Sequence, residues 1–277
     1  MRGRGGFIGF NRVPAASAIS SAASGVWTVR EAESLKREGT WPSAPGLTTV
    51  TGGTITAPGD GYQYHTFTSS GTLVVAGGSL ICEVLVVGAG GSGSRSRSGG
   101  GGGGGGVLYQ LNQSIAVGSY AVTVAGTATR TNSGNGAAGD PSSIASLYVA
   151  TGGGGGIRDG NYRHRGGTSG YPTTTSNSAG NTGGTGDECN ELDSGGGGGG
   201  AGGVGSNAPC NDSAAGGAGR TVFGVTYGAG GRGGSEGLGA RADGTANRGE
   251  GGSGGQNFGT NTAGDGGSGV VIVRYLL

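Results

Sequence analysis

From residue 47 onward, short stretches of alternating or continuous apolar residues are separated by glycine and small polar residues. The segment TVTGGTITAP (residues 49–58) alternates and turns at Gly52-Gly53. The longer YQYHTFTSSGTLVVAGGSLICEVLVV reads as strand, Ser-Ser-Gly turn, strand, Gly-Gly turn, strand. GSYAVTVAG, SIASLYVATGG, TVFGVTYGAGG and the terminal GSGVVIVRYLL follow, each rich in the Val, Ile, Tyr and Thr that pleated surfaces favour. The spacing predicts an all-β fold, a short-strand β-sandwich-like body. Its last strand closes the domain, since so apolar a terminus would otherwise face water.

Only the N-terminal region shows a helical period. In GVWTVREAESLKREGTWP, Thr28 and Glu31 have capping-box spacing, and Val29, Ala32 and Leu35 share a face. Gly39 and Pro42 stop the helix. About ten residues of helix do not hold alone in water, so a partner surface is expected. Trp27 and Trp41 bracket the helix as anchors, with Leu35 on its face and Phe7 and Phe10 upstream. Two partners stay open: another protein, or the body of this same chain. The expected organisation is an arm over 1–43 and a glycine-rich domain over 44–277.

Composition changes the picture of what lies between the strands. Glycine accounts for 75 of 277 residues, with the longest runs at 99–106, 152–156 and 195–200. Gly does not recur at every third position, which excludes collagen. The runs are bounded by strands rather than forming one uninterrupted Gly/Ser linker. Consecutive glycines can adopt the polyproline II conformation, here called polyglycine II. It has three residues per turn, a rise of about 3.1 Å, and backbone groups pointing outward without internal partners. Side by side, such segments can bond to one another, because without Cβ atoms the backbones approach closely. An ordered polyglycine II bundle is therefore expected; mobile loops are the alternative.

Candidate chemistry is sparse. EVLVVGAGGSGS places Gly88, Gly90 and Gly93 as G-x-G-x-x-G after a strand, the dinucleotide-binding pattern. That pattern needs a helix next and an acidic residue about 20 positions on. Here SRSRS and eight glycines follow, and the next acid after Glu83 is Asp140. No cofactor is expected. G-x-S-x-G occurs at 233–237 and 251–255 without the strand-then-helix context it requires. The two histidines, His65 and His164, are far apart, no metal-ligand spacing is present, and neither an enzyme nor a metal site is expected. The acidic DECNELD segment has carboxylates but not the spacing of a Ca²⁺ loop. A net charge of +1, and few arginines in RGRGG and SRSRS, argue against nucleic acid as a partner. The basic N-terminus is not followed by an apolar stretch, so no signal peptide is expected, and no run is long enough for a membrane helix. Of three cysteines, Cys82 sits in a strand as a small hydrophobe, whereas Cys189 and Cys210 flank a Gly run in polar loops. That pair can form a disulfide or remain reduced.

Six blocks in order, HTFTSSGTLVV, EVLVVGAGGSG, poly-Gly, VGSYAVTVAGT, GDPSSIASLYVATGGGGG and GGSGVVIVRY, resemble the glycine-rich domain of bacteriophage tail fibres and adhesins. FIGFNR and ASGVWTVREAESLKREGTWP resemble terminal segments of marine and cyanobacterial phage virion proteins. The resemblance implies a structural protein on the exterior of the virion, at a tail fibre or fibre tip. Polyglycine II helices would pack as a sandwich there, with loops at one end touching a host receptor, either a polysaccharide or an outer-membrane protein. It implies docking to other tail or virion proteins through Phe7, Phe10, Trp27, Leu35 and Trp41, and a homo-oligomer, with a trimer favoured. Capsid decoration, as a head fibre without a receptor, is the alternative. An ice-binding face would need regularly repeated Thr, which is lacking. The most decorated stretch, 156–174, carries Arg158, Asp159, Tyr162, Arg163, His164, Arg165 and Tyr171, residue types that interfaces use. It is the expected receptor-contact loop.

Overall fold

The computed structural model describes residues 6–7, 27–28, 47–131, 134–158, 164–172, 180–187, 193–210, 212–235, 241–255 and 262–277. Near the N-terminus, β1 (Gly6–Phe7) and β2 (Trp27–Thr28) pair antiparallel, with Phe7 opposite Trp27. The helix expected beyond Thr28, and with it Leu35 and Trp41, lies outside the described residues, as does Phe10.

Two five-stranded antiparallel sheets form the body. The first contains β3 (Thr49–Thr51), β6 (Gly71–Ala76), β9 (Gly118–Thr123), β10 (Ser142–Ile144) and β11 (Tyr148–Ala150), in the order β11-β10-β9-β6-β3. The second contains β4 (Thr54–Thr56), β5 (Tyr62–Phe67), β7 (Leu80–Val87), β8 (Val107–Ile115) and β14 (Val270–Leu276), in the order β4-β5-β14-β7-β8. The fold is all-β, as expected, and the terminal strand is central in its sheet. Between the sheets, Val84, Val86, Val271 and Val273 meet Leu73, Val75, Val122 and Ile144. On the opposite face, Leu85, Val87, Val270 and Ile272 are covered by a hairpin of β12 (Arg220–Val222) and β13 (Val225–Tyr227). Burial on both faces explains why β7 and β14 are nearly unbroken apolar runs. The turn at Gly52-Gly53 is not a hairpin. With φ of +112° and +65°, conformations that Gly adopts most readily, it carries the chain from β3 in one sheet to β4 in the other.

At one end of the sandwich the strands run on into glycine rods. β7 continues as 88–95, β8 is preceded by 99–106, and β14 is preceded by 262–269. The hydrogen bonds of rod 99–106 repeat every third residue. Gly99, Gly102 and Gly105 donate to Gly255, Gly252 and Gly249; Gly101 and Gly104 donate to Gly196 and Gly199; Gly103 and Gly106 donate to Gly154 and Thr151. In return its carbonyls accept from Gly88, Gly91 and Ser94, from Gly167 and Gly170, and from Gly231 and Gly234. Three neighbours receive and three give, which is the geometry of a three-residue-per-turn helix packed on all sides. Rod 195–200 is enclosed in the same manner. It donates to Gly231 and Gly234, to His164 and Gly167, and to Gly203 and Ser206, and accepts from Gly101 and Gly104, from Gly184 and from Gly217.

Such packing leaves no room for a side chain. A Cβ on Gly102 would run into the carbonyl of Gly91, and one on Gly103 into that of Thr168. At four positions a serine hydroxyl adds a return bond from the very residue whose carbonyl accepts that serine's N–H. Ser92 Oγ accepts from the Ala137 N–H at 2.8 Å, Ser94 Oγ from Gly100 at 2.8 Å, Ser169 Oγ from Asn181 at 2.8 Å and Ser253 Oγ from Ala242 at 2.9 Å. Runs of glycine are degenerate under a one-residue slip, and these hydroxyls mark specific rotational positions within them.

Gly102→Ala is expected to cost on the order of 3 kcal/mol or more, the range of substitutions that force a core apart. At Gly126, where nothing lies within 4 Å of an added Cβ, Ala is expected to be neutral or to stabilise by about 0.4–1 kcal/mol. Urea unfolding of the two variants checks this; equal midpoints would contradict close rod packing.

Candidate functional site

The register of the rods gives the bundle two ends. Gly88 with Gly106 lies beside the sandwich, and Ser94 with Gly100 lies at the far end, here called the tip. The described residues at the tip are 95–98, 130–131, 134, 157–158, 164–165, 187, 193–194, 208–210, 212–213, 235, 241, 255 and 262. Among the residues described there, Ser94-Arg95-Ser96-Arg97-Ser98 alternates: the serines are buried and the arginines are half-buried. The Ser98 hydroxyl donates to the Asp193 carbonyl at 2.7 Å, and the Arg95 N–H donates to the Gly134 carbonyl at 2.9 Å. The SRSRS motif is thus a tip turn tied into its neighbours.

The expected receptor-contact loop does not stay together. Ile157 and Arg165 exchange backbone hydrogen bonds at 2.8 and 3.1 Å, an isolated antiparallel bridge at the tip. Arg158 and Arg165 are exposed beside it, with the Arg158 N–H donating to Asn135 Oδ1 at 2.7 Å. His164 is 3% exposed and its carbonyl accepts from Gly196, so this imidazole is interior rather than on a contact surface. Residues 166–170 then form a rod, and Tyr171 lies at its other end. There the Tyr171 N–H donates to Thr151 Oγ1 at 2.8 Å, and its carbonyl accepts from the Thr151 N–H at 2.9 Å. At about 3.1 Å per residue, Tyr171 stands roughly 19 Å along the rod from Arg165. Asp159, Tyr162 and Arg163 lie outside the described residues.

Ion pairs stiffen one side of the tip. Asp265 accepts the Arg130 N–H at 2.7 Å and the Arg130 guanidinium at 3.1 Å; Arg241 contacts Asp243 at 2.6 Å and Asp265 at 3.4 Å. Burial alone would raise the Asp243 pKa, but the Asp265 N–H and the Arg241 guanidinium outweigh it and hold the carboxyl below its usual value. Cys210, at the tip, is exposed and disulfide-bonded, with Sγ 3.8 Å from an Asp187 carboxylate oxygen. Cys189, named with it from the sequence, lies outside the described residues. Among the described residues no three His, Cys, Asp or Glu side chains gather as a metal site. Gly88, Gly90, Gly91 and Gly93 all donate to other rods, and no helix follows, so the G-x-G-x-x-G segment is rod backbone.

An aromatic cluster on the sandwich was not foreseen. The Arg274 guanidinium lies 3.9 Å from the Phe223 ring centroid and 4.2 Å from that of Tyr62, and it pairs with Glu83 at 2.8 Å. Phe223 has φ of 52°, a costly conformation for a bulky residue, at the turn between β12 and β13. Edge-on contacts with Tyr64 and Tyr109 hold it there. This stacking joins residues distant in sequence, and local pattern does not encode it. His65 is buried in the sandwich, stacked on Tyr275, with Nδ1 donating to the Gly52 carbonyl at 2.8 Å.

The architecture defines a class: a β-sandwich that extends into a polyglycine II bundle. A family model described as "Glycine-rich domain" matches residues 66–276, and the chain belongs to that family. No curated protein matches the sequence.

Two solution experiments probe these environments. Burial raises the phenol pKa of Tyr64, Tyr109, Tyr148, Tyr227 and Tyr275 above 10.0. The folded state therefore favours the neutral phenols. Their contribution to stability is present below pH 10 and lost as pH rises through the elevated values. Ultraviolet titration of the native protein is expected to show these five phenols ionising above the ordinary value; their ionisation at the ordinary value would contradict it. Burial, with a smaller contribution from Glu83, pushes the Cys82 thiol up to about 12. No thiol should react in the native protein at neutral pH. One should react after unfolding without reductant, and three after reduction. Three reactive thiols before reduction would show that Cys210 is unpaired.

Proposed function

We propose that this chain is a structural protein of a bacteriophage virion, a tail fibre or fibre tip. Its N-terminal arm docks to other tail proteins, and the tip of its glycine bundle is turned toward the host cell surface. The observation that carries this reading is polarity. The described body begins at Leu47, beside the end of the sandwich remote from the bundle, while the 95–98 turn and the rod ends at 157–158 and 164–165 lie at the opposite end. A particle-bound adhesin needs that arrangement: attachment at one end, a stiff spacer, and exposed turns at the other. Exposed Arg158 and Arg165 suit an anionic polysaccharide or an acidic patch on an outer-membrane protein. Rigid backbone under the turns lowers the ordering cost of binding. The trimer is favoured by the resemblance to phage fibres, and several copies side by side would multiply a weak contact through avidity.

An electron-cryomicroscopy map of the intact particle tests the proposal. The expected result is density for this chain on a tail fibre, with the 95–98 turn outward, and loss of adsorption when Arg158 and Arg165 are both changed to Ser without a change in melting temperature. Density on the capsid lattice, with adsorption unaffected, would replace the adhesin by a decoration protein. Absence of the chain from the particle would overturn both.

A further inference from the structure

At the end of the sandwich away from the bundle there is an open groove of about 640 Å³, within the ~300–1,000 Å³ typical of clefts that bury a sizeable apolar group. Its lining includes Leu47, Tyr62, Ile81, Tyr275, Leu276 and Leu277. Four of these are strongly exposed: Leu47 at 89%, Ile81 at 61%, Leu276 at 70% and Leu277 at 76%. These four apolar side chains surround one concave opening, although Gln63, Ser79 and Asn112 also line it, so the groove offers an apolar seat for a single bulky side chain rather than a broad hydrophobic face. Glu83 and Arg274, at its wall, neutralise each other in an ion pair, so the groove carries no strong charge preference.

We propose that this groove is the seat of the chain's own N-terminal arm, with the Trp41 side chain as the anchor. Leu47 is part of the lining, so the arm leaves the body from within the groove itself. Trp41 is six residues upstream, within about 20 Å even when the intervening chain is fully extended. That connection reads Trp-Pro-Ser-Ala-Pro-Gly. Its two prolines restrict the unbound chain and favour an extended backbone, so docking gives up little conformational freedom. A tether this short places Trp41 near the groove at an effective concentration in the millimolar range, well above that of a second copy at micromolar protein. Tryptophan buries about 150–250 Å² and is a frequent anchor in such clefts. Residues before Trp41 then project from the base in a defined direction, free to meet another surface. The inference concerns the isolated chain and does not depend on the virion reading.

The only two tryptophans are Trp27 and Trp41, so fluorescence reports on the arm directly. In full-length protein carrying Trp27→Phe, Trp41 emission is expected to be blue-shifted, and several-fold less quenched by acrylamide than in the urea-unfolded chain, independent of protein concentration. Adding Ile81→Asp should shift the emission to the red and restore quenching while the melting temperature holds. Should Ile81→Asp not fold, Leu277→Asp at the exposed C-terminus gives the same readout. Quenching of Trp41 equal to that of the unfolded chain would overturn the proposal. So would protection that survives the groove variants, or protection that grows with concentration, which would assign the groove to the arm of a second copy.

Discussion

The hydrogen-bonding of glycine backbone in three directions at once is the constraint on which this protein depends. An extended strand offers its N–H and C=O groups to two sides. A three-residue-per-turn rod offers them to six, as residues 99–106 do. Each backbone bond contributes only about 1 kcal/mol net, while fixing a residue's backbone costs about 1–2 kcal/mol, and glycine loses the most freedom of all. A rod is tenable only when its groups are almost all paired and its neighbours lie in close contact. That requirement leaves no room for a Cβ at positions such as Gly102 and Gly103 and admits only small residues such as alanine and serine elsewhere in the rods. It also accounts for the composition, since the abundant glycine is a packing requirement rather than a sign of flexibility.

The sandwich supplies what the rods lack. Apolar burial around β7, β14 and their partners does not depend on the glycines, and it sets strand ends from which rods emerge in fixed relative positions. Rod 88–95 and rod 99–106 are continuous with adjacent paired strands, so their register follows from the sheet. The tip then inherits its rigidity from backbone bonding beneath it. The ion pairs among Arg130, Arg241, Asp243 and Asp265 add only modest stability at so solvated a place.

Much of this was legible in the residues. The strand runs and a buried terminal VVIVRYLL follow from local pattern, and excluding collagen and linker leaves ordered glycine rods as the expectation, with mobile loops as the alternative; the central place of the last strand comes only with the sheet order. Long-range relationships were not legible. Nothing in TVTGGTITAP tells that its halves belong to different sheets, because that depends on which partners β3 and β4 find. The stretch 156–174 looks like one decorated loop, yet GGTSG within it is a rod that sends Arg165 and Tyr171 to opposite ends. Glycine runs carry no side-chain code for their neighbours: the bond from Gly102 to Gly252 spans just over half of the chain and has no local signature. The alternation in SRSRS has a packing counterpart, buried serines between half-buried arginines, that the motif alone does not announce.

Amide hydrogen exchange, resolved by residue, tests the polyglycine bundle most directly. Residues 101–106 have no side chains and belong to no helix or sheet, so by local criteria they should exchange as fast as a loop. Enclosure on six sides instead predicts protection comparable to that of the amides in β7 and β14, lost only with global unfolding. Exchange of these glycines on the timescale of an unstructured peptide, while β7 and β14 remain protected, would contradict the account.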